Sequence, residues 1–219
     1  MNPWVAGVIA CCAAIPVGVL VWRRLRTAEH RLEDELDTPP RQHVWLLVAL
    51  PLVALVVGHA LAASHNAGVA LAYCCSLPVL AALTAIDLDV HRLPNFLTFP
   101  LVPLAVVIAA ISSASTGHWF ALLRAILAGV ALGAAYLVLL LVSRGGAGLG
   151  LGDVKLAVGL GVLLGWFSWS SVLSATLLGF ILGGLWAAGL LVARRATRQT
   201  YIAFGPFMIG GTVIALLAS

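Results

Sequence analysis

A chain of 219 residues that is 62% hydrophobic and 9% charged is not built for water, since soluble domains carry about 25% charged residues. Its mean hydropathy of +1.09 makes a lipid bilayer the expected solvent. The formal net charge of +4 does not point to nucleic acid, because the basic residues come in short runs between apolar segments.

A helix needs about 20 apolar residues to cross a bilayer. Eight runs approach that length: residues 4–21, 44–63, 67–86, 96–113, 119–142, 154–171, 172–192 and 203–218. The expectation is an all-α, polytopic bundle of about eight transmembrane helices, forming one membrane-embedded domain over residues 1–219. The first run has no basic residue before it and Arg23, Arg24 and Arg26 just after it. A cleaved signal peptide has the opposite polarity, so this run is read as an anchor. The pairs Cys11-Cys12 and Cys74-Cys75 lie inside apolar runs without C-x-x-C spacing and are read as packing residues. Residues 23–43 form a short, mixed-charge cytoplasmic loop holding Glu29, Glu33, Asp34, Glu35 and Asp37. It reads as a solvated linker, with a short surface helix ending at Pro39-Pro40 as the alternative. Pro51 and Pro78 fall inside the second and third runs, where membrane helices tolerate them. Between the sixth and seventh runs, near residues 166–172, one span must turn directly into the next.

Of the 12 Lys and Arg residues, 11 fall in loops on one side of this layout; Arg124 alone lies elsewhere. Cytoplasmic loops collect Lys and Arg. That side is therefore read as the inside, with both ends of the chain extracytoplasmic.

The six histidines show no metal-ligand spacing, and His59, inside the second run, is read as a packing residue. No G-x-S-x-G elbow is present. That leaves three acids flanked by apolar helix: Asp87, Asp89 and Asp153. A carboxylate beside hydrocarbon costs several kcal/mol unless it has a partner or a wet cavity. The plain reading is that they cap helices at the interface, as Asp153 would before the sixth span. With two spans between them, however, Asp87 and Asp153 reach the same membrane face. Five of the eight residues from 145 to 152 are glycine. That is an entropic cost a plain connector need not bear, and one that would let another chain approach closely.

Two motifs then stand out: Asp87 followed by Leu93-Pro94-Asn95 and Leu97-Thr98, and Gly150-Leu151-Gly152-Asp153 followed by Val154-Lys155-Leu156. In this order they resemble the type IV prepilin leader peptidases, membrane aspartic proteases of the G-x-G-D class. A third piece, Phe204-Gly205-Pro206-Phe207, is similar to another family element, although Ala203 stands where a proline is common. Presenilin-like proteins also use G-x-G-D but carry a tyrosine before the first acid, where this chain has Ile86.

The resemblance implies catalysis by Asp87 and Asp153 without a metal or an organic cofactor. It also implies prepilin or pseudopilin substrates in the inner membrane, cut at its cytoplasmic face. Asp89, Pro94, Asn95, Gly150, Gly152, Lys155, Gly205 and Pro206 become candidate substrate-binding or supporting residues. Pro94 and Asn95 would set the turn into the fourth span; Lys155 would hold an anionic substrate group or a lipid headgroup. Which of Asp87 and Asp89 acts stays open on spacing alone, and oligomeric state is not readable. Many family members carry a cytoplasmic insert with two C-x-x-C pairs and also N-methylate their product. Residues 23–43 hold no cysteine, so a peptidase-only member is expected. The rival reading is a proton- or cation-coupled transporter using the same acids as a relay. Relay acids sit nearer mid-membrane.

Overall fold

The computed structural model describes residues 1–27, 31, 41–143, 149–193 and 203–219, and among these the regular structure is entirely α-helical. The helices are α1 (Pro3–Arg26), α2 (Leu46–Ser64), α3 (Ala67–Cys74), α4 (Leu77–Val90), α5 (Asn95–Thr116), α6 (Trp119–Val142), α7 (Leu151–Gly165), α8 (Trp169–Val192) and α9 (Gly205–Leu217). Most of the first loop, including its five acids and Pro39-Pro40, lies outside the described residues, as do Gly145, Gly146 and Gly148.

Among the described residues, six segments are long and apolar enough to cross a membrane: α1, α2, the combined α3–α4 stretch, α5, α6 and α8. By length and composition alone that is two fewer than the expected eight. The sixth and eighth runs are helical, but α7 has 15 residues and α9 has 13. At 1.5 Å per residue they reach about 22 Å and about 20 Å, short of a hydrocarbon core about 30 Å thick.

The third run is also not one helix. Pro78 has no N–H to offer the Cys74 carbonyl, and the chain turns through Cys75 and Ser76. Cys75 N donates to Ala72 O at 3.2 Å, Ser76 N to Tyr73 O at 3.0 Å, and Ser76 Oγ to the same carbonyl at 2.7 Å. The turn between the sixth and seventh runs falls at the early end of the expected stretch, residues 166–172. Ser168 caps α8 by accepting from Ser171 N at 2.9 Å, so the turn is complete before residue 171.

The core of the bundle is α7. Nearly every residue from Leu156 to Gly165 is buried, and α5, α6, α8 and α9 pack around it. Its approach to α6 is set by glycine: a Cβ on Gly161 would lie 2.7 Å from the Ala128 carbonyl. The far end of α7 is tied down by polar bonds. Arg124 of α6 donates to the carbonyls of Gly165 (2.8 Å), Trp166 and Phe167 (2.7 Å). Tyr73 Oη donates to Leu163 O at 2.7 Å, and Trp166 Nε1 to Ser113 Oγ at 3.0 Å. The one basic residue outside the charge asymmetry thus has a local task, closing the carbonyls that a helix C-terminus leaves open. Phe120 and Val192 are more than 80% exposed; such an apolar exterior is suited to lipid.

Candidate functional site

The near end of α7 meets the end of α4. In α4, Asp87 occupies the last turn, and the helix stops at His91, whose φ of 52° is left-handed and whose N–H donates to Asp87 O at 2.9 Å. Histidine tolerates that conformation better than a branched residue would. The chain then runs through buried Leu93 to Pro94, the N-cap of α5. Pro94 O accepts from Thr98 N at 3.1 Å and from Thr98 Oγ1 at 3.2 Å. Pro94 and Asn95 therefore start α5, as expected from the sequence.

The Asp87 carboxylate is turned inward and the residue is 4% exposed. Its Oδ2 accepts from the Gly205 N–H at 3.0 Å, at the first turn of α9. That end carries unpaired N–H groups and the positive pole of the helix, so an anion is favoured there. A larger residue here would displace the carboxylate, since a Cβ would stand 2.7 Å from Asp87 Oδ2. Pro206 follows in the first turn, where its fixed φ suits helix entry.

Asp153 lies at the third position of α7 and is 6% exposed. Its Oδ2 accepts from Gly150 N–H at 2.7 Å, so it does cap α7, but from the third helical position rather than from the N-cap, which is Gly150. Capping does not exhaust it. Asp87 and Asp153 line one cavity of about 190 Å³, walled by His91, Leu93, Gly152 and Phe204. Gly152 closes the site: its Cβ would meet Leu93 Cβ at 2.8 Å, so the Leu-Pro-Asn turn sits directly against the start of α7.

Two candidates lie elsewhere. Lys155 does not line the cavity; its Nζ donates to Asn95 Oδ1 at 2.6 Å and stands 4.5 Å from the Phe99 ring centroid. Those contacts join the start of α5 to the start of α7. Asp89 faces away from the cavity and is gripped by Arg31, with Nε to Oδ2 at 2.9 Å and Nη2 to Oδ1 at 2.7 Å. Arg31 was not singled out from the sequence. It lies 58 residues from Asp89 in a loop of mixed charge, and nothing local marks it. His91 was missed for a similar reason, because a left-handed residue leaves no compositional trace.

Among the described residues, no three His, Cys, Asp or Glu side chains group as metal ligands. What the cavity offers is a pair of carboxylates and polar space for a few waters. Such a pair can divide general-acid and general-base work on a bound water.

Comparison with known proteins gives three findings. The family model described as the type IV leader peptidase family matches residues 72–188. Several curated relatives bear the name prepilin leader peptidase/N-methyltransferase. That of Aeromonas salmonicida (strain A449) is 37% identical over 153 residues, covering 64% of this chain and 46% of the relative. That of Burkholderia pseudomallei (strain K96243) is 32% identical over 176 residues, covering 78% and 53%. The chain spans about half the length of the curated relatives it matches. No solved structure matches it.

Proposed function

The chain belongs to the type IV leader peptidase family, and from that premise we propose that it is a membrane aspartic endopeptidase that removes the short basic leader from type IV prepilins or pilin-like proteins. The observation that carries this reading is the convergence of Asp87 and Asp153, from separate helices, on one cavity. In the proposed reaction the ionised carboxylate takes a proton from a bound water, which attacks the scissile carbonyl. The protonated partner donates to the carbonyl oxygen, and protonation of the leaving amine completes the cut. Gly205 N–H and Gly150 N–H orient the two acids throughout. Lys155 with Asn95, and Gly152 with Leu93, hold the helix ends that carry them.

We place the cavity at the cytoplasmic face of the inner membrane, with both chain ends outside. The support is the eight-run layout, in which short α7 and α9 still carry the chain across and 11 of 12 Lys and Arg collect on one side. A cut there suits a substrate with a basic leader inside and an apolar helix just beyond it. We also propose that the chain lacks methyltransferase activity. Its relatives carry that activity in their names, but residues 23–43 contain no cysteine.

The test is cleavage of a leader-bearing prepilin-like substrate by the protein in vesicles, with products weighed by mass spectrometry. The wild type should release the leader and leave the new N-terminus unmethylated. Asp87→Asn and Asp153→Asn should each abolish the product. Full cleavage by either variant would remove the carboxylate mechanism, and a product heavier by one methyl group would refute the peptidase-only reading.

A further inference from the structure

We infer that Asp89 is a positioning residue for the proposed cleavage: clamped by Arg31 and by the Arg41 amide, it sets the rotation of the last turn of α4 and so aims Asp87 into the cavity. The inference rests on the peptidase reading and adds the first loop to the parts that make the site work.

Asp87 and Asp89 are two residues apart and therefore about 200° apart around the helix. One side of the last turn is held by α9, through Gly205 N–H on Asp87 Oδ2 at 3.0 Å. The opposite side is held by the loop. Arg31 gives Asp89 two parallel bonds, at 2.9 Å and 2.7 Å, and Arg41 N adds a third at 3.2 Å to Oδ1. The side chains of Arg31 and Asp89 are each 1% exposed. This is not a solvated surface pair of the kind that contributes little. A guanidinium fork on a carboxylate fixes direction as well as distance, which a single ammonium would not.

Position matters here because the turn has no continuation to steady it. Beyond Val90 the chain reverses at left-handed His91. A side chain end stands about 5–6 Å from its helix axis, so a roll of ~10° displaces the Asp87 carboxylate by about 1 Å. An error of that size costs on the order of 100-fold in rate.

The experiment uses the full chain in vesicles with the leader-bearing substrate, and three variants: Arg31→Lys, Asp89→Asn and the double change. Arg31→Lys keeps the charge and loses the fork. The expected result is a kcat at least about ten-fold lower for each single variant, with KM within about two-fold of wild type. The double variant should be no worse than the worse single, since both remove one clasp. A folded Arg31→Lys protein with kcat within two-fold of wild type would overturn the inference. A rise in KM alone, or losses that multiply in the double variant, would also overturn it. Should Asp89→Asn fail to fold, Arg31→Lys decides the matter by itself. Absence of cleavage by the wild type would instead remove the peptidase reading, and the inference with it.

Discussion

Gly205 has no room for even one more carbon atom, because a Cβ there would meet Asp87 Oδ2 at 2.7 Å. Gly205→Ala should push the Asp87 carboxylate off its N–H donor. The expected outcome is a loss of cleavage of on the order of 100-fold with the thermal melting point little changed, checked by kinetics and a melt of the same sample. A melting point lowered in parallel with activity would make Gly205 a folding residue instead. At this scale the two inner acids were legible in the sequence, since a charge placed in an apolar run demands a partner. Asp89 was legible as important but not in its task. Its partner lies 58 residues away, and no spacing rule reaches that far. Lys155 was likewise noticed for its charge, while its bond to Asn95 came from the approach of α5 to α7.

Among the elements, α7 is the one whose two ends do different work. Its N-terminus carries Asp153, and its C-terminus is closed by Arg124 on three carbonyls. Arg124→Met keeps the apolar stem and removes every one of those donors. Hydrogen bonds from a charged donor each contribute roughly 1.5–3 kcal/mol, and some of the loss would be recovered by relaxation. We expect a destabilisation of about 2–4 kcal/mol, read as a lower midpoint in detergent unfolding. Activity in lipid should fall less than stability, because the bonds lie at the opposite end from the cavity. Apolar length and turn residues located the described helices, with α3 and α4 run together as one. They did not locate the break at Cys75–Ser76, where Pro78 denies the helix a donor, and they placed the turn at Ser168 only within residues 166–172, because it depends on a single hydroxyl cap. Such events involve one or two atoms and leave the apolar pattern unchanged.

For the whole molecule the open prediction is orientation. With native cysteines replaced, His118→Cys should react with a membrane-impermeant maleimide added to intact cells, and Ser143→Cys should react only after the membrane is opened. These residues flank the two ends of α6. The reverse labelling pattern would turn the proposed site to the outside. The multi-pass class was readable from hydropathy; the number of full-length spans was not. Composition reports that a segment avoids water without reporting whether its neighbours are lipid or protein. Helix α7 is the case in point: apolar throughout its interior, short, and enclosed by four other helices. Since it is shielded from acyl chains, a thicker or thinner bilayer pulls first on the longer outer helices and reaches the carboxylates only through them. The reaction rate in vesicles of graded acyl length should then vary gently, with the surrounding helices tilting to absorb the mismatch like the staves of a barrel around a fixed spindle.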